Sequence, residues 1–205
     1  MILLQSTRQL FMRTKGVLIL ECMDKSDPGS EGRFLRHMFN LMEVDHQYVE
    51  VRTRYQLIAL MKKSPYKVIH ITTHGSVARR KKQSFKGLWF KDGIFGISET
   101  KELEGKLQKC SVVCTACMAG DNICASEFVR ITKCDNYIAP SGSPRFHNSI
   151  FFAHILYHKH FIFGRGLSEV ISEYDDTYKN PHGFALLSIE DFIDKTFRLA
   201  SERLV

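Results

Sequence analysis

Two residues with reactive side chains follow predicted strands at the point where each strand ends. His74 comes directly after the apolar run at residues 68–73, and Cys117 comes directly after the run at residues 111–116. If the two strands are parallel neighbours, an imidazole and a thiol leave the same edge of a sheet whose strands lie about 4.8 Å apart. A nearby histidine is the usual means of turning a thiol into a nucleophile. A glycine follows each residue within three positions, which lets a substrate backbone approach closely.

A structural role is the alternative for both residues. His74 can be a turn residue, and Cys117 can be a small buried hydrophobe, since cysteine is among the most buried residue types. Cys114 and Cys117 also have the C-x-x-C spacing of thioredoxin-like and zinc sites. Thioredoxin cysteines lie at a helix N-terminus, whereas Cys114 lies inside a predicted strand, and no second C-x-x-C pair stands nearby. The nucleophile is therefore the leading hypothesis, and redox or metal chemistry is the alternative.

Apolar runs of strand length alternate with segments of helical periodicity along the chain. Continuous apolar runs are typical of strands that are buried on both faces. Strands are predicted at residues 17–20, 48–51, 68–73, 111–116, 137–140 and 184–187, with a small hairpin at 87–96. Helices are predicted at residues 34–42, 57–61, 98–107, 125–131, 147–160, 167–174 and 190–203. This alternation predicts an α/β fold with a mostly parallel central sheet of about six strands and helices on both faces.

Composition and charge are those of a folded globular protein. Of 205 residues, 44% are hydrophobic and 25% charged, which argues against a disordered chain, a collagen-like repeat or a coiled coil. The net charge is +7, but the one basic run, residues 79–82, has no interleaved aromatic residues, so direct binding of nucleic acid is not expected. Six cysteines, several of them in apolar runs, indicate free thiols in a reducing compartment. With no membrane span or signal-peptide pattern, the sequence predicts a cytoplasmic protein without membrane attachment.

The segments around His74 and Cys117 resemble the caspase-like cysteine peptidases of clan CD. One segment is similar to the histidine segment of that family, and the other to its nucleophile segment, a strand that ends in Ala-Cys-x-x-Gly. The resemblance spans roughly residues 17–187 and is closest to the prokaryotic CHAT-type domain. It is carried by residues 68–75 (VIHITTHG), 87–93 (GLWFKDG), 112–120 (VVCTACMAG), 137–140 and 166–169.

The resemblance implies hydrolysis of peptide bonds by a Cys-His dyad without a cofactor or metal. Cys117 would attack the scissile carbonyl, and His74 would assist proton transfer to the leaving amine. The backbone N–H groups of Gly75 and Cys117 would hold the oxyanion. Because the family uses a dyad, no third catalytic residue is expected.

The resemblance also implies where substrate is selected. The family uses loops after the first and fifth strands and the residue two positions before the nucleophile, which correspond to about Asp24, Ser141 and Thr115. Metacaspases carry Asp and caspases carry Gln where Thr115 stands, so their charge preferences do not transfer. Asp24 and Asp121 favour a basic substrate side chain if their loops fold inward, and otherwise they are solvated loop residues. Arg145 favours an acidic side chain. The position of Asp24 gives the preference to a neutral or basic residue before the cleaved bond.

The leading functional prediction is a caspase-like cysteine endopeptidase that acts on a protein or peptide substrate. We expect a single domain over residues 1–205, with its core at about 16–190 and without a sensor of its own. Activation by a partner protein is therefore expected, and the CHAT resemblance implies a role in bacterial defence. One alternative is a catalytically silent caspase-like binding or scaffold module. Another is the redox or metal-binding protein built on Cys114 and Cys117.

Overall fold

The computed structural model describes residues 14–24, 27, 29–78 and 84–189, which form two β-sheets with helices packed around the larger one. The strands are β1 (Thr14–Cys22), β2 (His46–Glu50), β3 (Tyr66–Thr73), β4 (Gly75–Ala78), β5 (Ser84–Phe90), β6 (Gly93–Phe95), β7 (Ser111–Cys114), β8 (Asn136–Pro140) and β9 (Phe184–Ser188). The helices are α1 (Glu31–Leu41), α2 (Arg54–Lys63), α3 (Ile97–Thr100), α4 (Asn122–Thr132), α5 (Phe146–Ile162) and α6 (Leu167–Tyr178). Within the described ranges, no helix is long and apolar enough to cross a membrane. The basic run 79–82 and the predicted helix 190–203 lie outside the described residues.

The larger sheet has six strands in the order β2-β1-β3-β7-β8-β9. Neighbouring strands from β2 to β8 are parallel, and the edge strand β9 is antiparallel to β8. The predicted α/β fold with a mostly parallel six-stranded sheet is therefore confirmed. The strand order reverses at β1, because β2 lies on one side of it and β3 on the other. Such a switch point opens a crevice at the carboxyl ends of the strands.

Alternate residues of the central strands contribute to two separate apolar cores, one on each face of the sheet. On one face, α1, α5 and α6 pack over strand residues that include Val17, Ile19 and Val113. On the other face, α2, α4 and the β5–β6 hairpin pack over strand residues that include Leu18 and Ile69. Both faces of these strands are buried, which explains why the strands have continuous apolar sequences.

The smaller sheet is antiparallel, with the strand order β4-β5-β6. The predicted hairpin at 87–96 corresponds to β5 and β6, in which Trp89 pairs with Ile94. The sequence pattern does not predict β4, which starts at Gly75 and pairs with β5. The His74 carbonyl, between β3 and β4, accepts a hydrogen bond from the Trp89 N–H at 2.9 Å. The smaller sheet therefore anchors the backbone of the histidine segment.

The predicted helix at residues 98–107 is much shorter in the structure. The helix α3 has four residues and is followed by a 3-10 turn at Lys101–Leu103. Beyond that turn, the Gly105 N–H donates to the Ile131 carbonyl at the end of α4, at 2.9 Å. The backbone at this point is hydrogen-bonded to a different element, so it leaves the helical ladder.

A buried carboxylate, Glu31, joins α1 to β3 and β7. Glu31 is the first residue of α1 and is 2% exposed. Its Oε2 accepts hydrogen bonds from the hydroxyls of Thr72 and Thr115, each at 2.9 Å, and its Oε1 lies 3.1 Å from His70 Nε2. Since His70 and Thr72 lie on β3 and Thr115 follows β7 directly, one carboxylate holds three elements together.

His70 has a second buried partner, Tyr157. Burial, together with the nearby Glu31 charge, raises the pKa of Tyr157 well above its usual value, so its hydroxyl keeps its proton. That hydroxyl lies 2.8 Å from His70 Nδ1, and Nε2 of the same ring lies 3.1 Å from Glu31 Oε1. His70 therefore links Tyr157 of α5 to Glu31 of α1 within a buried polar network whose members stiffen one another.

A second buried carboxylate, Glu21 at the end of β1, fixes the start of α1. It accepts hydrogen bonds from the Ser30 hydroxyl, from the Gly32 N–H at 2.8 Å and from the Tyr48 hydroxyl at 2.6 Å. Burial and the hydrogen bond to Glu21 raise the pKa of Tyr48 to about 12, so this hydroxyl remains a donor. Ser30 is also the N-cap of α1, because its Oγ accepts the Arg33 N–H at 3.0 Å. The loop between β1 and α1 is thereby anchored at both ends.

We expect Glu31→Ala to destabilise the fold by about 3 kcal/mol or more, because it leaves three buried side-chain donors without their acceptor. Urea unfolding followed by circular dichroism measures the change in the free energy of unfolding. Glu102→Ala is the matched control, since the Glu102 side chain is 49% exposed and pairs with Lys62 at 3.6 Å. Its expected loss is below about 1 kcal/mol. Equal losses in the two variants would contradict the role assigned to Glu31.

Candidate active site

The ends of β3 and β7 bring His74 and Cys117 to one edge of the sheet. The two strands pair in register up to Ile71 and Cys114, and the Thr115 N–H continues the ladder by donating to the Ile71 carbonyl at 3.1 Å. His74 follows β3 directly, and Cys117 lies in a turn just beyond β7. The two residues therefore lie on adjacent strand ends.

The backbones of Gly75 and Cys117 are in direct contact. A Cβ atom on Gly75 would lie 1.9 Å from the Cys117 carbonyl oxygen and 3.2 Å from the Cys117 nitrogen. No side chain fits in this space, so position 75 must be glycine for the two segments to approach so closely. The segment after His74 and the turn that carries Cys117 are thus held against each other by the backbone.

The turn that carries Cys117 is also fixed from the side of β8. Met118 has a positive φ of 60°, and its N–H donates to the Gly142 carbonyl at 2.7 Å. The Gly120 N–H donates to the Pro140 carbonyl at 2.8 Å, and a Cβ on Gly120 would lie 2.6 Å from a carbonyl oxygen of β8. These contacts leave the Cys117 side chain half-buried in a tightly constrained turn.

Two backbone N–H groups at this edge stand outside the ladders of the described sheets. Gly75 faces Leu88 at a non-hydrogen-bonded position of the β4–β5 ladder, because the neighbouring His74 carbonyl takes the Trp89 N–H. The Gly75 N–H therefore points away from β5. In the part of the chain that the structure describes, the Cys117 N–H forms no hydrogen bond either. Two donors are thus available in the segments that carry the imidazole and the thiol.

The His74 side chain contacts a carboxylate that the sequence pattern does not single out. Its Nε2 lies 3.0 Å from Asp27 Oδ1, and the side chains of His74 and Asp27 are 49% and 12% exposed. Asp27 belongs to the loop between β1 and α1, and β1 lies next to β3. The sequence signal that could have identified Asp27 is an acidic residue in the loop that follows a strand adjacent to β3. Among the described residues, the His74 ring forms no hydrogen bond with the Cys117 thiol, and catalytic pairs often tighten only when substrate binds.

The three predicted substrate-binding residues lie at the same edge in different settings. Asp24 is exposed in the loop after β1. Ser141 is exposed after β8, and its N–H donates to the Gly183 carbonyl at 3.0 Å. Thr115 is 6% exposed, and its hydroxyl donates to Glu31 below the strand ends. The side chains of Asp24 and Ser141 are therefore accessible to a ligand, whereas that of Thr115 belongs to the buried network.

The two remaining charged candidates differ in accessibility. Asp121 caps α4, since its carboxylate accepts the N–H groups of Ile123 at 3.2 Å and Cys124 at 3.3 Å. Arg145 is exposed at the start of α5. The Asp121 carboxylate is therefore occupied by helix capping, and the Arg145 guanidinium faces solvent.

Burial raises the pKa of four of the other five cysteine thiols. It raises the pKa of Cys114 and of Cys134 to about 12, and it also raises the pKa values of Cys22 and Cys124. Cys114 is fully buried in the core on the α4 side of the sheet, and both Cys114 and Cys117 are free thiols. A buried, protonated thiol disfavours the redox hypothesis for this C-x-x-C pair. The described residues contain no group of three or more His, Cys, Asp or Glu that is arranged to hold a metal ion.

Comparison with known proteins bears on the fold. No protein-family model and no curated protein sequence matches this chain. Its structure is similar to separase in the crystal structure of the Saccharomyces cerevisiae separase–securin complex, with a TM-score of 0.59 and 11% sequence identity. The match covers 85% of this chain and 12% of the separase chain. Together with the six-stranded, mostly parallel sheet, this similarity shows that the chain has a caspase-like fold.

Proposed function

We propose that this chain is a cysteine endopeptidase in which Cys117 is the nucleophile and His74 the general base. The observation that carries the proposal is the contact between the Gly75 and Cys117 backbones, which joins the segment after β3 to the turn after β7. A caspase-like fold is consistent with a cysteine protease. A fold alone does not fix a function, so the support comes from the residues at this edge.

In the proposed reaction, the Cys117 Sγ attacks the carbonyl carbon of the scissile peptide bond. His74 takes the thiol proton and passes it to the leaving amine as the C–N bond breaks, and a thioester to Cys117 remains. Water then attacks the thioester with His74 as base, which releases the acid product and restores the thiol. The N–H groups of Gly75 and Cys117 would hold the oxyanion, and one such donor contributes about 3 kcal/mol in well-studied peptidases.

We propose that the loops around this edge recognise the substrate. The exposed Asp24 carboxylate and the exposed Ser141 hydroxyl are accessible groups, and Thr115 supports the edge from below through Glu31. A charged substrate side chain must meet an opposite charge, because an unpaired buried charge is expensive. Asp24 therefore favours a basic or neutral residue before the cleaved bond. Arg145 would instead favour an acidic residue at that position.

Several finer proposals rest on the sequence analysis. They are the CHAT type, a cytoplasmic location, activation by a partner protein and a role in bacterial defence. The separase structure is that of a complex with securin, which supports a protein partner. The competing proposal is a silent caspase-like module that binds proteins without cleaving them.

We predict that Cys117 is the first of the six thiols to react with iodoacetamide at neutral pH. Burial raises the pKa of Cys114 and of Cys134 to about 12, so those thiols stay protonated and inert. Limited labelling followed by peptide mapping identifies the modified residue. Earlier labelling of another cysteine would remove the basis for the nucleophile assignment.

We expect Cys117→Ala to abolish cleavage of a peptide library and to change the free energy of unfolding by only about 1 kcal/mol, because position 117 lies in a half-buried turn. Cys124→Ala is the matched control, since Cys124 is a half-buried thiol of α4 whose Sγ lies 3.8 Å from the Phe85 carbonyl oxygen. This control should cleave at the wild-type rate. Wild-type activity in Cys117→Ala would refute the mechanism, whereas inactivity of all three proteins would favour the silent module or a missing activator.

We expect Asp24→Ala to lower kcat/KM about five-fold or more for substrates with a basic residue before the cleaved bond, and to spare apolar substrates. The reason is that the variant removes the exposed carboxylate after β1. Kinetics on matched peptides that differ at that one position provide the measurement. A clear preference for Asp or Glu in the wild type would transfer the selecting role to Arg145.

A further inference from the structure

We propose that Asp27 is a positioning residue that orients the His74 ring and stabilises its charged form, so that the site uses a carboxylate in addition to the Cys-His pair. This inference rests on the proposed function, because Asp27 acts on the reaction through His74. The supporting observation is the 3.0 Å contact between Asp27 Oδ1 and His74 Nε2. The predicted dyad contains no such residue.

The Asp27 carboxylate is held in place by its own loop. The Asp24 N–H donates to Asp27 Oδ2 at 2.5 Å, and the Asp27 N–H donates back to the Asp24 carbonyl at 3.1 Å. The Asp27 side chain is 12% exposed, while that of His74 is 49% exposed. A mostly buried carboxylate with a fixed second partner has little freedom, so it defines one orientation for the imidazole.

The anchoring of α1 explains why Asp27 lies against His74. Ser30, three positions after Asp27, is the N-cap of α1. The next residue, Glu31, accepts the hydroxyl hydrogen of Thr72, which lies two positions before His74 on the same chain segment. The loop therefore starts at β1 and ends at a helix that is tied to β3.

The contact with Asp27 decides which nitrogen of His74 can act as a base. An ionised carboxylate only accepts hydrogen bonds, so the hydrogen between the two groups belongs to His74 Nε2. A neutral imidazole carries one hydrogen, which leaves the lone pair on Nδ1 to receive the Cys117 proton. When that proton moves from Sγ to Nδ1, the ring becomes positive beside the Asp27 charge, which stabilises it. The Nε2 hydrogen stays on the ring throughout.

Asp27→Asn is a sharp test because an amide cannot replace both carboxylate oxygens. The Asp24 N–H needs an acceptor at the Oδ2 position. If the amide oxygen takes that place, the amide NH2 faces His74 Nε2 and moves the ring hydrogen to Nδ1, where it blocks the base. If the side-chain amide is rotated by half a turn, its NH2 group faces the Asp24 N–H, and two donors then oppose each other. The substitution therefore loses either the correct tautomer or the contact that fixes the loop.

The experiment measures two properties of the full chain. One is the rate of Cys117 alkylation by iodoacetamide at pH 7, and the other is the tautomer of His74 from ring-nitrogen NMR signals, assigned by their loss in His74→Ala. Asp27→Asn should slow alkylation about ten-fold, the effect of losing one hydrogen bond to a charged group, and should deplete the Nε2–H tautomer. Asp176→Asn removes the same charge from an exposed position on α6 and should keep the wild-type rate.

The outcomes separate this inference from the proposed function. A wild-type alkylation rate together with the Nε2–H tautomer in Asp27→Asn would overturn the role of Asp27 and leave the Cys117–His74 pair intact. Unchanged alkylation in His74→Ala would instead overturn the proposed function, and the role of Asp27 with it. Slower alkylation in both variants, with no change in Asp176→Asn, is the expected result.

Discussion

A single buried carboxylate, Glu31, holds together the edge of the sheet that carries the reactive residues. Its partners, His70, Thr72 and Thr115, come from β3 and from the end of β7, so α1 and these two strands cannot move independently. A buried carboxylate is destabilising unless donors surround it, and here each donor is itself fixed by the sheet. Thr72 and Thr115 lie two positions before His74 and Cys117, so the network gives these two residues a rigid support.

Close backbone contacts fix the turn that carries Cys117. Gly75 lies against Cys117, and Gly120 lies against β8, at distances that leave no space for a Cβ atom. Met118 ties the same turn to the loop after β8 through its N–H. The fold therefore fixes the place of Cys117 through positions that tolerate only glycine.

Local patterns in the sequence encode much of the fold and two residues of the candidate site. Apolar runs identify the strands, and His74 and Cys117 follow from the ends of two such runs. Long-range contacts have no local signature: Glu31 and Thr115 hydrogen-bond across 84 positions. Asp27 has the sequence setting of an ordinary loop residue, and only the placement of β1 beside β3 brings it to His74. The strand β4 is hidden for a related reason, since a single residue separates it from β3.

The central claim is that Cys117 is a nucleophile served by His74 and by two backbone donors. A crystal structure with a bound peptide aldehyde tests it most directly, because the adduct mimics the tetrahedral intermediate. The proposed mechanism predicts a bond from Cys117 Sγ to the aldehyde carbon, with the adduct oxygen about 3 Å from the backbone nitrogens of Gly75 and Cys117. An adduct on a different cysteine, or an adduct oxygen directed away from both N–H groups, would contradict it.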